Sequence, residues 1–145
     1  MTSSDNIQSD GSQTIQDLAH FRYALRKFLR FSENAARACG VTPQQHQLML
    51  GVAGFTGRNS ATISELAEFL QERNHSVVGL VERAVQSRLV RRTQDSTDRR
   101  VVIVSLTQRG EAVLSRLTNL HQDEAKRIST VWEAGHPHSR PVLTK

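Results

Sequence analysis

The chain has 145 residues, with 19 basic and 14 acidic side chains, a formal net charge of +5 and a sequence pI near 10.3. This length suits one domain with a substantial core, and the basic balance favours a polyanionic partner, either nucleic acid or a membrane surface. No run of residues approaches the ~18 apolar residues of a membrane span, and the N-terminal residues lack the apolar segment of a signal peptide. The single cysteine, Cys39, excludes an internal disulfide and a cysteine metal cluster, so we expect a reducing, cytoplasmic setting.

The N-terminal part divides into a polar stretch and a long amphipathic one. Residues 1–12 have almost no apolar content, which predicts a flexible tail. From 13 to 39, apolar residues such as Leu18, Leu25 and Phe28 recur at steps of three and four, which predicts a helix. Apolar residues also extend onto a second side, so this is either a core helix or a helix that also contacts a second copy of the chain.

Two short helices follow, and each begins with a capping box. Thr42 and Gln45 open the first, and Thr62 and Glu65 open the second, with residues 57–60 predicted as the loop between them. Only a tight turn separates the second of these helices from the one that follows it. This arrangement predicts a helix-turn-helix.

The next helix carries its apolar residues on one side and leads into an arginine-rich segment. Val77, Val81 and Ala84 share one face of this helix. Residues 73–100 contain seven arginines against three acidic residues, a net charge of +4 and most of the charge of the chain. A helix followed by an arginine-bearing hairpin is the geometry of a DNA-reading winged helix.

The hairpin is predicted from two short apolar, β-branched runs, Leu89–Val90 and Val101–Leu106, which flank a polar and charged turn. Thr107 is placed to cap a last long helix that extends to residue 134. Residues 135–145 include glycine, proline and histidine without helical spacing, which predicts an irregular tail.

The order of these elements and the residues at their joints resemble the MarR family of bacterial winged-helix transcription regulators. The resemblance covers roughly residues 14–132, and the segments that carry it are TISELAEFL, VVGLVERAVQSRLVRR and DSTDRRVVIVSLTQRG. It implies a mainly α fold with a small β-hairpin wing (α+β), a winged helix-turn-helix with long N- and C-terminal helices for dimerisation. It also implies a homodimeric regulator, usually a repressor, that binds a pseudo-palindromic operator in double-stranded DNA and is released by a small ligand or by oxidation.

Projected onto this chain, the resemblance predicts five segments. They are a flexible tail at 1–12, an N-terminal dimerisation helix at 13–39, a winged helix-turn-helix DNA-binding domain at 40–106, a C-terminal dimerisation helix at 107–134 and an irregular tail at 135–145. Two departures stand out. Arg88 occupies a position where the family usually ends the recognition helix with glycine, and the family's final short dimerisation helix is poorly matched by the residues after 133.

The candidate DNA-binding residues lie in three places. A recognition helix contacts base edges mainly through its N-terminal turns, and a wing inserts arginine into a narrow minor groove. Helix N-termini present unpaired N–H groups to phosphates. The candidates are Asn74, His75, Ser76, Gly79 and Arg83 for the recognition helix, Arg99 or Arg100 for the wing, Asp98 or Asp95 to hold an arginine extended, and Thr42, Thr62 and Ser64 for helix N-termini.

Each of these assignments has a structural alternative. Asn74 and Ser76 are also suited to capping their helix, and Arg83 is also placed to pair with Glu82 or a neighbouring acid on a solvated face. Family analogy favours Arg99 over Arg100 for the minor groove. A charged hairpin turn without any DNA contact is the alternative for the wing.

An effector site is predicted only through the resemblance, which places it where the dimerisation helices meet the DNA-binding lobe. In this chain the candidate lining residues are Phe28, Phe31, His46 and Met49, which suit a small aromatic or hydrophobic compound. The alternative is that these four residues belong to the core. We predict no cofactor and no metal, since the histidines lack metal-site spacing.

Two other function classes fit the sequence less well. The sequence has no glycine-rich phosphate loop, no nucleophile with a recognisable partner and no paired carboxylates in an apolar setting, so we do not expect an enzyme. The alternative to a DNA-binding regulator is a winged-helix protein-interaction module without sequence-specific DNA binding. The arginines of residues 73–100 argue against that module, since a protein-binding recognition face has no need of so much positive charge.

Overall fold

A computed structural model describes the backbone of residues 4–135 and the side chains of residues 11–130. The described chain falls into two compact units, one formed by Glu33–Asn119 and the other by the segments up to Ser32 and from Leu120. None of the described helices is long and apolar enough to cross a membrane.

The elements follow the predicted order, with one addition. The helices are α1 (Ser4–Ala38), α2 (Pro43–Leu50), α3 (Ile63–Leu70), α4 (Asn74–Gln86) and α5 (Gln108–Gly135), and a π-helical turn, Gly51–Phe55, continues α2. The strands are β1 (Ser60–Thr62), β2 (Val90–Gln94) and β3 (Val102–Leu106), which form one antiparallel sheet in the order β1-β3-β2. The predicted mainly α fold with a winged helix-turn-helix is confirmed.

The first helix begins earlier than predicted. We expected a flexible tail at 1–12, but residues 4–12 are helical and continue into the amphipathic part of α1, and residues 1–3 lie outside the described part of the chain. A polar segment without proline can extend an existing helix because each added residue costs little once the helix is nucleated. At the other end of the chain, Gly135 still belongs to α5, and the rest of the predicted tail, residues 136–145, is also outside the description.

A third strand was missed. Residues 57–60 were predicted as a loop, but Ser60 begins β1, whose residue Ala61 is fully buried and lies opposite Val104 of β3. Three residues show no alternation that a sequence pattern could detect. The strand exists because β3 offers its free edge, so its pairing is decided by tertiary structure.

Both predicted capping boxes are confirmed. The N–H of Gln45 donates to Thr42 Oγ1 at 3.1 Å and the N–H of Thr42 donates to Gln45 Oε1 at 3.0 Å. Thr62 and Glu65 make the same reciprocal pair, at 3.2 and 3.0 Å. The starts of α2 and α3 are therefore specified by neighbouring residues.

The core of the Glu33–Asn119 unit lies where α2, α3 and α4 pack on one another and where α3 and α4 meet the sheet. Its largest fully buried side chains come from every one of these elements and from α5. They are Leu48, Met49, Val52, Leu66, Val77, Val81, Leu89, Val90, Val104 and Leu117.

The end of α4 forms a Schellman cap that requires a left-handed residue. The N–H of Arg88 donates to the carbonyl of Val85 and the N–H of Leu89 to that of Ala84, at 3.0 and 2.9 Å. Arg88 holds the left-handed position with φ of 59°. An arginine side chain therefore stands where glycine would be free of strain, as the departure from the family pattern predicted.

Arg88→Gly is expected to raise the free energy of unfolding by about 1 kcal/mol, because glycine adopts positive φ without a β-carbon penalty. Thermal and urea unfolding measure the effect. Arg88→Ala is the matched control, since it removes the charge and keeps the β-carbon. Equal stabilisation by alanine would assign the effect to the charge and contradict the backbone explanation.

Thr107 joins the end of α4, the sheet and the start of α5. Its hydroxyl accepts the N–H of Gly110 at 3.0 Å, as predicted for the cap of the last helix, and contacts the carbonyl oxygens of Arg88 and Leu89 at 2.5 and 3.1 Å. Its own N–H donates to the Leu89 carbonyl at 3.0 Å. We call this junction, formed by Arg88, Leu89, Thr107 and Gly110, the wing anchor.

Candidate nucleic-acid interface

The α4 helix buries one face and exposes the other. Val77, Val81 and Ala84 are buried, whereas Asn74 and His75 are exposed in the first turn. Exposure of this polar face follows directly from the apolar spacing, because the buried residues recur every three to four positions.

The N-terminal residues of α4 do not cap it. Arg73 is the N-cap residue, and no side chain makes a capping hydrogen bond at this end. The alternative role for Asn74 and Ser76, that they serve the helix itself, is therefore not observed. Both side chains are exposed beside the unpaired N–H groups of the first turn.

Gly79 and Arg83 lie on the exposed side one turn further on. A β-carbon built on Gly79 would meet only the Arg83 guanidinium, at 3.5 Å, which is ordinary contact distance. The glycine is therefore not required by packing within the chain. None of the described ion pairs joins Arg83 to Glu82, whose carboxylate lies 3.7 Å from the guanidinium of Arg92. The predicted alternative for Arg83 is wrong on this point.

The wing tip is a structured turn between β2 and β3. The N–H of Asp95 donates to the Val101 carbonyl at 2.9 Å, and the N–H of Val101 donates to the Asp98 carbonyl at 3.0 Å. The Asp95 carboxylate accepts the N–H and the hydroxyl of Thr97, both at 3.0 Å. These bonds, the backbone one first, hold the pKa of the Asp95 carboxyl below its ordinary value.

Asp98 holds an arginine, and that arginine is Arg100. Its Nε lies 3.2 Å and its Nη2 3.4 Å from the two Asp98 carboxylate oxygens, while its side chain is 91% exposed. Asp95 is occupied by Thr97 and holds no arginine. Arg99 is also exposed, and among the described side chains it has no acidic partner. The wing therefore presents one oriented and one unpaired guanidinium.

At the helix N-termini, some N–H groups already have a hydrogen-bond partner within the chain and others do not. At α3, the Glu65 carboxylate accepts the Thr62 N–H and two contacts from the Arg58 guanidinium, at 2.5 and 2.8 Å. The Thr62 N–H first, and then Arg58, hold the pKa of the Glu65 carboxyl below its ordinary value despite some desolvation. Thr62 thus gives its N–H to an internal carboxylate, whereas the N–H of Ser64 belongs to the first turn, which has no partner within a helix.

Residues 40–101, which span the helix-turn-helix and most of the wing, match the model of the MarR family. A repressor from Bacillus subtilis strain 168, the HTH-type transcriptional repressor MdtR, is 32% identical over 111 residues, which are 77% of this chain. The chain belongs to the MarR family. It spans 66%, just under two thirds, of the length of MdtR.

Several solved structures share this fold. The YusO protein from Bacillus subtilis is 25% identical, with a TM-score of 0.59 and 94% of each chain covered. A mutant MarR from Escherichia coli, solved in complex with operator DNA, has a TM-score of 0.64 and 21% identity, covering 75% of this chain and 76% of its own. The second likeness concerns the fold alone.

The predicted effector residues of this MarR-family chain fall into two pairs. Phe28 and Phe31 lie in the unit of the terminal segments, with ring centroids 6.0 and 5.3 Å from that of His121, whose Nε2 is 2.9 Å from Ser32 Oγ. His46 and Met49 lie in the other unit and are buried, with 4% and 0% exposure. An effector site made of these residues stays a prediction, and His121 is a neighbour of the two phenylalanines that the sequence did not assign to this site.

Sequence reasoning also missed Arg92 as a contact of α4. Val90 is buried against the core, and alternation along β2 places Arg92 on the same face two residues later, where it reaches Glu82. Arg91 points to the opposite face, and its Nε donates to Ser105 Oγ at 3.3 Å. The alternation of side chains along the strand was the sequence signal that could have placed Arg92 on the side of α4.

Proposed function

We propose that this MarR-family chain is a DNA-binding repressor that acts as a homodimer on a pseudo-palindromic operator. The α4 helix enters the major groove and the wing enters the minor groove. The observation that carries the proposal is the combination, within the Glu33–Asn119 unit, of an exposed polar α4 face and a wing turn with two exposed arginines. The relatives support it, since MdtR is named a repressor and the E. coli MarR was solved on operator DNA.

Roles follow from what each side chain can offer. The Asn74 amide can bind adenine through a donor and an acceptor, and His75 can donate to guanine. Arg83 is placed for a phosphate or a base at the far end of the exposed face. Arg99 has its guanidinium available for the minor groove, while Arg100 stays extended on Asp98.

The homodimer is supported by the apolar surface that α1 leaves open. Ile15, Leu18 and Leu29 are 71%, 60% and 43% exposed, far more than their side chains usually are in a folded chain. A second copy that covers this surface would bring two α4 helices to one duplex. In that arrangement the helices should lie about one turn of DNA apart, ~34–36 Å.

Selection of bound sequences from a random DNA pool, followed by a salt titration, tests the proposal. We expect an inverted repeat with half-sites about 10 bp apart, centre to centre. A dimer that neutralises roughly six to ten phosphates should lose about 10³–10⁵ in affinity between about 50 and 200 mM salt. No selected sequence together with a flat salt dependence would instead favour a protein-interaction module.

Arg99→Ala is expected to weaken operator binding by about 1–3 kcal/mol without a change in melting temperature, because the side chain is exposed and supports nothing within the fold. Arg100→Ala should cost less, since Asp98 already shares its charge. Arg116→Ala, on the exposed side of α5, removes the same charge away from the wing. An equal loss in the Arg99 and Arg116 variants would show that only total charge matters.

Gly79→Ala is expected to move stability and binding in opposite directions. Alanine should stabilise α4 by about 0.5–1 kcal/mol, because no atom of the chain blocks the new methyl group. If the α4 backbone approaches the bases at this point, the same methyl should weaken operator binding by roughly tenfold, as overpacking does. Thermal melting and operator titration measure the two effects. Unchanged affinity would place Gly79 away from the DNA surface.

A further inference from the structure

We propose that Val78 contacts the C5-methyl group of a thymine in the major groove and sets a base preference at the centre of each half-site. Such a role rests on the DNA-binding function proposed above. It adds a specificity-determining residue that offers no hydrogen bond, at a position between the polar residues of α4.

Val78 lies on the exposed face of α4. Its side chain is 39% exposed, whereas its neighbour Val77 and the residue one turn later, Val81, are 1% and 0% exposed. Residues three and four positions apart are neighbours on a helix surface, so Val78 lies one turn after Asn74 and His75. The valine is thus placed next to the two side chains best suited to read bases.

Helix stability does not account for a valine at this position. A β-branched residue loses side-chain freedom in a helix and is a weaker helix former than alanine. The packing of α4 on the core comes from Val77, Val81 and Ala84, which are almost completely buried. Single exposed apolar residues are common on protein surfaces, so whether Val78 has a function must be judged from the residues around it.

Those surroundings leave a small apolar area in the middle of a polar face. Gly79 follows Val78 and has no side chain, and only the Arg83 guanidinium comes near its missing β-carbon position. Between the hydrogen-bonding groups of the first turn and Glu82 one turn later, this part of the surface consists of the two valine methyl groups and glycine backbone, with the Arg83 guanidinium at its edge beside Gly79. Asn74 and His75 supply hydrogen bonds at one end of it, and Val78 supplies none.

The major groove contains one apolar group that matches this area. Each base pair presents donors and acceptors there, and thymine alone adds a methyl group. If valine packed against a donor or acceptor of a base, that polar group would lose its hydrogen bond to water and gain none from the protein, which is unfavourable. Against the thymine methyl, the same contact buries apolar surface on both sides and leaves no polar group unpaired. Complementarity therefore favours thymine.

Replacement of thymine by deoxyuridine removes only this methyl group and provides the test. Each thymine of the selected operator is replaced in turn within one half-site, and the affinity of the full chain is measured. We expect one central position at which the wild-type chain loses about fourfold in affinity, the factor that one buried methyl group supplies. With Val78→Ala, uracil and thymine should bind equally at that position.

The controls separate this contact from general effects. Val78→Ala should fold, since alanine is the better helix former, and a melting curve confirms it. Val113→Ala, a half-buried valine of α5, should keep the full uracil penalty. If the wild-type chain binds its operator and tolerates uracil at every thymine, or if Val78→Ala keeps the penalty, the Val78 contact is refuted while DNA binding stands. If the wild-type chain selects no sequence at all, both proposals fail.

Discussion

Gly110→Ala is expected to lower the melting temperature by roughly 10 °C, because a β-carbon here would come closer to a neighbouring atom than at any other glycine whose surroundings the structure describes. Gly110 is buried in the first turn of α5, where its α-carbon lies against the carbonyl group of Leu89. A β-carbon there would overlap the Leu89 carbonyl oxygen. This atom belongs to the backbone and already accepts the N–H of Thr107 at 3.0 Å, so it cannot turn aside.

The expected loss of stability follows from the displacement of α5 that the new methyl group requires. To admit the methyl group, the start of α5 has to separate from the end of α4, which breaks the hydrogen bonds of the wing anchor. We expect a loss of about 3 kcal/mol, the upper range for overpacking, and a change of this size corresponds to roughly 10 °C in a chain of this length. Differential scanning calorimetry measures it.

Gly11→Ala is the matched control for this prediction. Gly11 also lies within a helix, α1, but a β-carbon there meets no heavy atom within 4 Å. Alanine should therefore stabilise that helix by up to about 1 kcal/mol. A melting temperature of the Gly110 variant equal to that of the wild-type chain would contradict the close approach of α5 to Leu89.

Leu18→Glu is expected to abolish self-association at micromolar concentration and, with it, operator binding. Leu18 is 60% exposed in the middle of the open apolar surface of α1, close to Ile15 at 71%. In a symmetric dimer each substitution acts twice. Removing two buried leucines costs about 3–6 kcal/mol, so the dimer dissociation constant should rise at least a hundredfold.

Sedimentation velocity and operator titration measure the two consequences. Gln16→Glu adds the same charge two positions away, at an exposed polar residue of the same helix, and should leave association unchanged. If the Leu18 variant still sediments as the wild-type chain does, α1 does not provide the contact between copies. Loss of DNA binding without loss of association would instead separate the homodimer from the recognition mechanism.

The parts of the fold that the sequence predicted are those specified by neighbouring residues. The capping boxes of Thr42 and Thr62, the cap of α5 at Thr107 and the Schellman position of Arg88 each depend on groups within a few residues. Local hydrogen bonds of this kind leave a sequence pattern. Together with the apolar spacing of α4 and the β-branched runs of the hairpin, they were sufficient to place α2, α3, α4 and the wing in order.

The parts that the sequence did not predict depend on distant partners. β1 exists because β3 offers an edge, and Arg92 reaches α4 only once β2 is paired. The choice between Arg99 and Arg100 as the partner of Asp98 is decided by the path of the turn, which residue types alone do not specify. Similarly, His121 contacts Phe28 and Phe31 although about ninety positions of sequence separate them, and no periodic pattern connects residues so far apart.

The wing anchor has a consequence for how this hairpin can vary. It ties both ends of the wing to α4 and α5 through Leu89 and Thr107, independently of the tip. Insertions between Gln94 and Val102 would therefore lengthen the reach of the wing and leave the direction of α4 unchanged. If the wing and α4 bind DNA as proposed, descendants of this chain could therefore change the length of minor groove that the wing contacts without moving α4 in the major groove.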